Sequence, residues 1–237
     1  MWCVIIPTYN NANTILQVIE EVSKYTRHIL VVNDGCTDCT AALLKGKDIK
    51  IVDYGGNRGK GYALKAGFRK ARELGFEYAI TIDADGQHFA SDIPNFVETL
   101  EQNPGCLIVG SRNLSEEGMP SQNIFANKFS NFWFRLQTGC NLPDTQTGFR
   151  LYPLNKMGRL WWMTSRYEAE LEMLVYAAWK NIRIIPIRIK VCYQPAGERV
   201  THFRPIYDFI RISLLNTLLC PLAVVYGLPL KFIRSIR

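Results

Sequence analysis

Residues 78–88, "YAITIDADGQH", decide how the rest of the chain is read. An apolar, β-branched run ends in two carboxylates separated by one small residue. Side chains alternate faces in an extended chain, so Asp83 and Asp85 point the same way. Two such carboxylates repel each other unless a proton or a cation lies between them. Taken alone, "DADG" is also the composition of a turn that closes a strand, and the turn is the simpler reading of so short a stretch. The flanking chain has to choose between the two.

Upstream and downstream of this stretch, short apolar runs alternate with helical patterns. Strands are expected at 2–6 ("WCVII"), 28–33 ("HILVVN"), 49–54 ("IKIVDY"), 78–83 and 106–111 ("CLIVGS"). Helices are expected at 14–25, 39–46, 61–75 and 91–102, the last with Ser91 as its cap. Near-continuous apolar strands interleaved with helices imply an α/β protein with a mostly parallel sheet covered on both faces. Ligands of such sheets bind at the carboxyl ends of the strands. The polar clusters at 7–11, 33–38, 55–60 and 83–88 all follow strand ends. Further on, a helix is expected at 124–138 and a strand at 147–152. A helix at 167–181 follows, with Glu170 the member of Glu168, Glu170 and Glu172 that points inward, and then a strand at 182–189. The stretch 116–123 reads as a mobile loop, and Trp161 and Trp162 as core or interface residues.

The chain has 237 residues, enough for one large domain with an appendage. Its net charge of +7 is concentrated at one end: residues 180–237 hold ten Lys/Arg and two Asp/Glu. From Ile212 to Leu230 no residue is charged, and Arg211, Lys231, Arg234 and Arg237 flank that stretch. Apolar and basic features together fit a segment lying at a membrane interface, the competing reading being a C-terminal helix folded on the core. Nucleic acid is not an expected partner, because the basic charge is interleaved with long apolar runs. The chain opens directly on an apolar strand, so no secretory leader is read. The seven cysteines are odd in number and show no disulfide framework, which suits a reducing cytoplasm. Cys36 and Cys39 form a C-x-x-C pair with no second pair or His cluster to complete a zinc site, and read as turn residues.

Two further motifs bear on ligands. "VVNDGCTDCT" (31–40) sets Asp34 at the mouth of the sheet, where a carboxylate can accept hydrogen bonds from a nucleoside. "GGNRGKG" (55–61) brings Arg58 and Lys60 to the start of a helix, a setting that suits phosphate but lacks the Walker spacing. No G-x-G-x-x-G follows the first strand, which argues against a nicotinamide or flavin cofactor.

Taken in order, "VIIPTYNN", "VVNDGCTD", "GNRGKGYALKAG", "DADGQH", "VGSRN", "DTQTGFRLY" and "YEAELEML" resemble the family 2 glycosyltransferases of GT-A fold over roughly residues 3–205. "DADGQH" and D-x-x-T-G-F-R are similar to the branch of polyprenyl-phosphate sugar synthases. The resemblance implies a GT-A domain at 1–205, a Rossmann-like, mostly parallel sheet with helices on both faces, and an apolar, basic membrane-associating segment at 206–237. It implies that Pro7, Tyr9, Asp34, Lys60, Asp83 and Ala84 bind the nucleotide sugar. Asp83, Asp85 and Gln87 would hold Mg2+ or Mn2+. Asp85, Arg112 and Asp144 would be catalytic, and Arg112, Lys128, Arg199, His202 and Arg204 would meet donor or acceptor phosphate. Asn33 and Cys36 stand where the family more often has Asp and Ser, and an arginine expected near Asn127 is missing.

The implied reaction is an inverting transfer from a nucleotide diphosphate sugar to a polyprenyl phosphate, at the cytoplasmic face of a membrane. The paired carboxylates then have a purpose: a metal they hold neutralises the leaving diphosphate. A hydroxyl acceptor would need a positioned base, for which Asp144 is the one plausible group, whereas a phosphate acceptor is already an anion. Alternatives are transfer to a hydroxyl of a glycolipid or cell-envelope glycan, and a membrane-tethered nucleotide-binding protein without turnover. A sugar nucleotidyltransferase is disfavoured, because "IIPTYNN" lacks the Gly-rich basic motif that class carries after its first strand.

Overall fold

A computed structural model describes residues 1–112, 121–158, 163–192 and 205–236. Arg199, His202, Arg204, Trp161, Trp162 and most of the 116–123 loop lie outside the described residues. Seven strands form one sheet: β1 (Trp2–Thr8), β2 (Ile29–Asn33), β3 (Lys50–Asp53), β4 (Tyr78–Thr81), β5 (Leu107–Ser111), β6 (Arg150–Pro153) and β7 (Ile184–Arg188). The order is β3-β2-β1-β4-β6-β5-β7. Among the described residues β6 alone runs antiparallel, against both β4 and β5. Pro186 is tolerated in β7 because that strand is an edge of the sheet. The expected mixed α/β fold with a mostly parallel sheet is therefore present.

Alternation along the strands explains the two layers of core. Cys3 and Ile5 of β1 and Leu30 and Val32 of β2 face one side; Val4, Ile6, Ile29 and Val31 face the other. The second side is covered by α1 (Ile15–Ser23), which buries Ile15, Val18, Ile19 and Val22 at helical spacing, and by α4 (Ile93–Gln102). The first side is covered by α3 (Lys60–Glu73) and α7 (Glu168–Trp179). Gly67 lets α3 approach the sheet, since a Cβ there would lie 2.8 Å from Ile5 Cγ2. Short helices α2 (Thr40–Leu43) and α6 (Leu154–Met157) fill connections, and α5 (Ser121–Thr138) packs on α7. Ser91 does not cap α4. It lies inside a short 3₁₀ turn, Ala90–Asp92, and the side chain of Asp92 accepts the Lys190 N–H at 2.8 Å instead.

Two expectations change in detail. Helix α7 is enclosed on nearly all sides, so Glu168 and Glu172 are buried along with Glu170, rather than solvated. Glu172 accepts the N–H groups of Met163 and Thr164, and Glu168 pairs with Arg211 at 3.4 Å. At the C-terminus, α8 (Pro205–Leu222), a π turn (Ala223–Gly227) and α9 (Leu228–Ile236) form an apolar stretch. The helical stretch Tyr207–Arg234 has 28 residues, and its most apolar 18 consecutive residues have a mean hydropathy of 1.7, enough to cross a bilayer by length and composition. One face joins the core through Leu215, Leu219 and Ala223, while Leu214, Leu218, Val224, Val225 and Phe232 are exposed, Val225 to 79%. One face of the segment is thus folded on the core, and the other presents apolar side chains to solvent.

Candidate active site

The carboxyl ends of β1, β2 and β3 lie in line, with Thr8 paired to Asn33 and Asn33 to Asp53. Pro7 is buried at the end of β1 and Tyr9 is half-buried just beyond it. Asn10 and the loop after β2 clasp each other: the Asn10 side chain accepts the Thr37 N–H at 2.8 Å, and the Asn10 N–H donates to Cys36 Sγ at 3.2 Å. Cys36 and Cys39 are free thiols in that turn, as the sequence suggests.

Asp34 is only 3% exposed, and its carboxylate carries the glycine-rich loop. Oδ1 accepts the Tyr54 hydroxyl and the Arg58 N–H, both at 2.7 Å, and Oδ2 accepts the Gly59 N–H at 2.9 Å. A Cβ on Gly35 would meet Gly56 and Asn57 backbone at 2.4 Å, so only glycine lets the two loops touch. The residue expected to contact the nucleoside is thus also the anchor of residues 54–59.

That anchor aims Lys60, the first residue of α3, at the end of β4. Lys60 Nζ lies 2.7 Å from Asp83 Oδ1 and 3.0 Å from Glu170 Oε2. Burial pushes the Asp83 carboxyl up, and Lys60 beside it more than reverses this, leaving Asp83 below the usual carboxylate range. Asp85 has no such ion pair among the described residues. Burial, and then the Asp83 charge, push its carboxyl up to about 6, although it accepts the Gln87 N–H at 3.0 Å. Ala84 points the opposite way, into the core, and its carbonyl accepts the Thr14 hydroxyl at 2.6 Å. Residues 84 and 85 lie in a turn just beyond β4, so strand alternation no longer applies there, yet Asp83 and Asp85 are close enough for the charge of Asp83 to raise the Asp85 carboxyl. Gln87 is half-buried, and its carbonyl accepts the Cys192 N–H at 2.9 Å, which brings Cys192 beside the loop that carries the carboxylate pair. Burial lowers His88 to about 4, and its Nδ1 has no hydrogen-bond partner.

Arg112, at the end of β5, is held by Asp144. Nε lies 2.6 Å from Oδ2 and Nη2 3.0 Å from Oδ1, a bidentate pair. Asp144 also accepts the backbone N–H groups of Arg112 and Gln146 and the side-chain amide of Asn127. It is fully buried; burial raises its carboxyl, but the Arg112 hydrogen bonds and charge win and hold it below the ordinary range. With five donors around two oxygens, this carboxylate has no lone pair directed at an incoming proton. In this geometry Asp144 holds the Arg112 guanidinium in place at the end of β5. Lys128 is exposed on α5, one residue beyond Asn127.

Sequence reasoning missed four participants. Asn127 occupies the neighbourhood where an arginine was expected. Gly148 is a hydrogen where any Cβ would lie 2.5 Å from Asp83 Oδ2 and 2.7 Å from Lys60 Nζ. Arg150, fully buried, donates to the carbonyls of Thr145, Thr147 and Glu170 and so shapes the loop carrying Asp144. Glu170 was expected to face inward, but its pairing with Lys60 was not. Of these, "TGFR" (147–150) carried a signal: a glycine and an arginine at a strand entry.

The model of glycosyl transferase family 2 matches residues 3–161. The UDP-N-acetylglucosamine–dolichyl-phosphate N-acetylglucosaminyltransferase of Methanococcus voltae is 29% identical over 212 residues, covering 80% of this chain and 84% of that protein. The polyprenol monophosphomannose synthase of Mycolicibacterium smegmatis is 29% identical over 160 residues, 63% of this chain and 60% of its own. Among solved structures, glucosyl-3-phosphoglycerate synthase from Mycobacterium tuberculosis, in complex with Mn2+, UDP and phosphoglyceric acid, superposes with a TM-score of 0.69. That alignment has 18% identity and covers 92% of this chain and 76% of the other, a likeness of fold.

Proposed function

The chain belongs to glycosyl transferase family 2, and on that premise we propose that it moves a sugar from a nucleotide diphosphate sugar to a polyprenyl phosphate at a membrane surface, with inversion at the anomeric carbon. The relatives named for dolichyl-phosphate and polyprenol-phosphate products support this reading. The observation that carries it is the state of Asp144: buried, and saturated by five donors, with Arg112 fixed against it. An alcohol acceptor would need a base there. A phosphate monoester brings its own anionic oxygen at neutral pH. What it requires is a positioned cation, and Arg112 is positioned.

Mg2+ or Mn2+ fits the donor set of Asp83, Asp85 and Gln87. Hard carboxylate and amide oxygens suit either ion, and Asp85, pushed up by burial and then by the Asp83 charge, is a carboxylate that a dication would stabilise. The related fold crystallised with Mn2+ and UDP agrees with that choice. When bound, such an ion supplies neutralisation of the charge that accumulates on the leaving diphosphate. The protein's own groups do the rest. Pro7, Tyr9 and the Asp34-anchored loop frame the nucleoside, and Lys60 at the start of α3 faces the diphosphate. Arg112 guides the acceptor phosphate. One phosphate oxygen forms the new bond to the anomeric carbon as the bond to the diphosphate oxygen breaks, and the pair of electrons leaves with the nucleoside diphosphate. The exposed face of α8 and α9 supports docking on the bilayer that holds the lipid, with the catalytic groups on the cytoplasmic side. A screen of nucleotide sugars against a short polyprenyl phosphate with Mn2+, read by product mass, tests this; the absence of any lipid-phosphate sugar across all donors would reject it.

A further inference from the structure

Lys60 occupies an unusual position: it is an ammonium inside a cluster of three carboxylates. Its Nζ bridges Asp83 at 2.7 Å and Glu170 at 3.0 Å, and Asp85 lies near enough for the Asp83 charge to push its carboxyl up. Three features show that the arrangement is built. Gly59, at φ 95, turns the chain so that the first residue of α3 points into the cluster. Gly148 leaves the space that any Cβ would take from both Asp83 and Lys60. Glu170 is buried, and among the described residues its Oε1 has no hydrogen-bond partner; burial pushes its carboxyl up, and the ammonium on Oε2 works against that push.

We propose that Lys60 is the resident counter-cation of the Asp83–Asp85 pair, that it contends with the divalent ion for Asp83, and that Glu170 retains the ammonium when Asp83 turns to the metal. The proposal rests on the metal reading given above. Glu170 is then a positioning residue: it touches neither donor nor acceptor and acts through Lys60. Its second acceptor site keeps the ammonium in the cluster, close to the diphosphate, instead of expelling a buried charge into solvent. A consequence is weak metal binding before the donor arrives, because Mn2+ must displace an ion pair.

The test is Mn2+ binding to the full chain without donor, read from the electron paramagnetic resonance of free Mn2+. Wild type, Lys60→Met, Glu170→Gln and the double variant are compared, with circular dichroism confirming the fold. Lys60→Met should bind Mn2+ at least ~10-fold tighter, since the competing charge is gone. Glu170→Gln should bind it more weakly, because the ammonium then has Asp83 alone. In the Lys60→Met background the Glu170→Gln effect should vanish, as there is no ammonium left to retain. Strictly additive effects, or no tightening in Lys60→Met, would overturn the proposal. A second measurement needs no variant. The ¹⁵Nζ resonance of Lys60 in wild-type protein should shift as Mg2+ is added, and a resonance unmoved at saturating Mg2+ overturns the proposal as well. If wild-type protein holding UDP binds no Mn2+ at all, the metal reading itself falls and this inference with it. Mn2+ binding without the responses above removes the Lys60 inference alone.

Discussion

Replacing Asp144 with Asn separates an orienting carboxylate from a catalytic base. The amide keeps the shape of the side chain but removes the charge opposite Arg112 and turns one oxygen into a donor facing other donors. Breaking one side of a buried ion pair costs about 3–5 kcal/mol. For a chain of this size about 2–4 °C are lost per kcal/mol, so the midpoint of thermal unfolding should fall by roughly 6–20 °C. The folded Asp144 carboxyl lies below its unfolded value, so its stabilisation is present above the ordinary carboxylate range and is lost as pH falls through the folded value. Asn lacks that dependence, and the gap between the two proteins should narrow in acid. Displacing Arg112 by about 1 Å should lower kcat/KM for polyprenyl phosphate by ~100-fold. The acid limb of the pH profile should not move, since Asp144 is ionised throughout the neutral range. Calorimetry and a pH series of initial rates check both halves. An unchanged unfolding temperature, or loss of the acid limb in Asp144→Asn, would refute the orienting role and restore the base.

Other expectations follow from the same geometry. Asp85 must be ionised to bind a metal, and its carboxyl sits at about 6; Mn2+ affinity should therefore be close to maximal at pH 7 and roughly 10-fold weaker at pH 5, whereas a pH-independent affinity would remove Asp85 from the ligand set. Asp34→Ala removes the acceptor for three donors of the 54–59 loop, so it should lose about 2–4 kcal/mol of stability as well as affinity for nucleoside diphosphate, and a variant of wild-type stability would contradict the anchoring role. Val224→Glu with Val225→Glu places charges on the exposed face of the π turn, away from the core. Vesicle flotation should fall sharply while the unfolding temperature holds, and unchanged flotation would show that this face does not meet lipid.

Much of the sheet was legible because its strands are buried on both faces and read as unbroken apolar runs, "CVII", "ILVV" and "LIVG" among them. The reversed direction of β6 was not legible. Its residues alternate no differently from a parallel strand, and direction is set by pairing with β4 and β5. The carboxylate pair was legible as an Asp-x-Asp motif at a strand end, although residues 84 and 85 fold into a turn beyond β4 instead of continuing the strand. What they face was not, because Lys60 and Glu170 reach them from helices that start 23 residues before and 85 residues after Asp83, and sequence carries no distance. The same holds for Asp144: "NLPDTQTG" reads as a turn, and only the approach of Arg112 and Asn127 from two other elements shows that its oxygens are taken. The three glutamates of α7 look like a solvated helix face until the sheet and α8 enclose them.

The most direct measurement offers the wild-type protein a short polyprenyl phosphate and the matching polyprenol in one reaction, with the accepted nucleotide sugar and Mn2+, and weighs the lipid products. With the Asp144 oxygens taken up by five donors, the sugar should appear on the phosphate alone. Sugar on the polyprenol hydroxyl, with none on the phosphate, would contradict that reading.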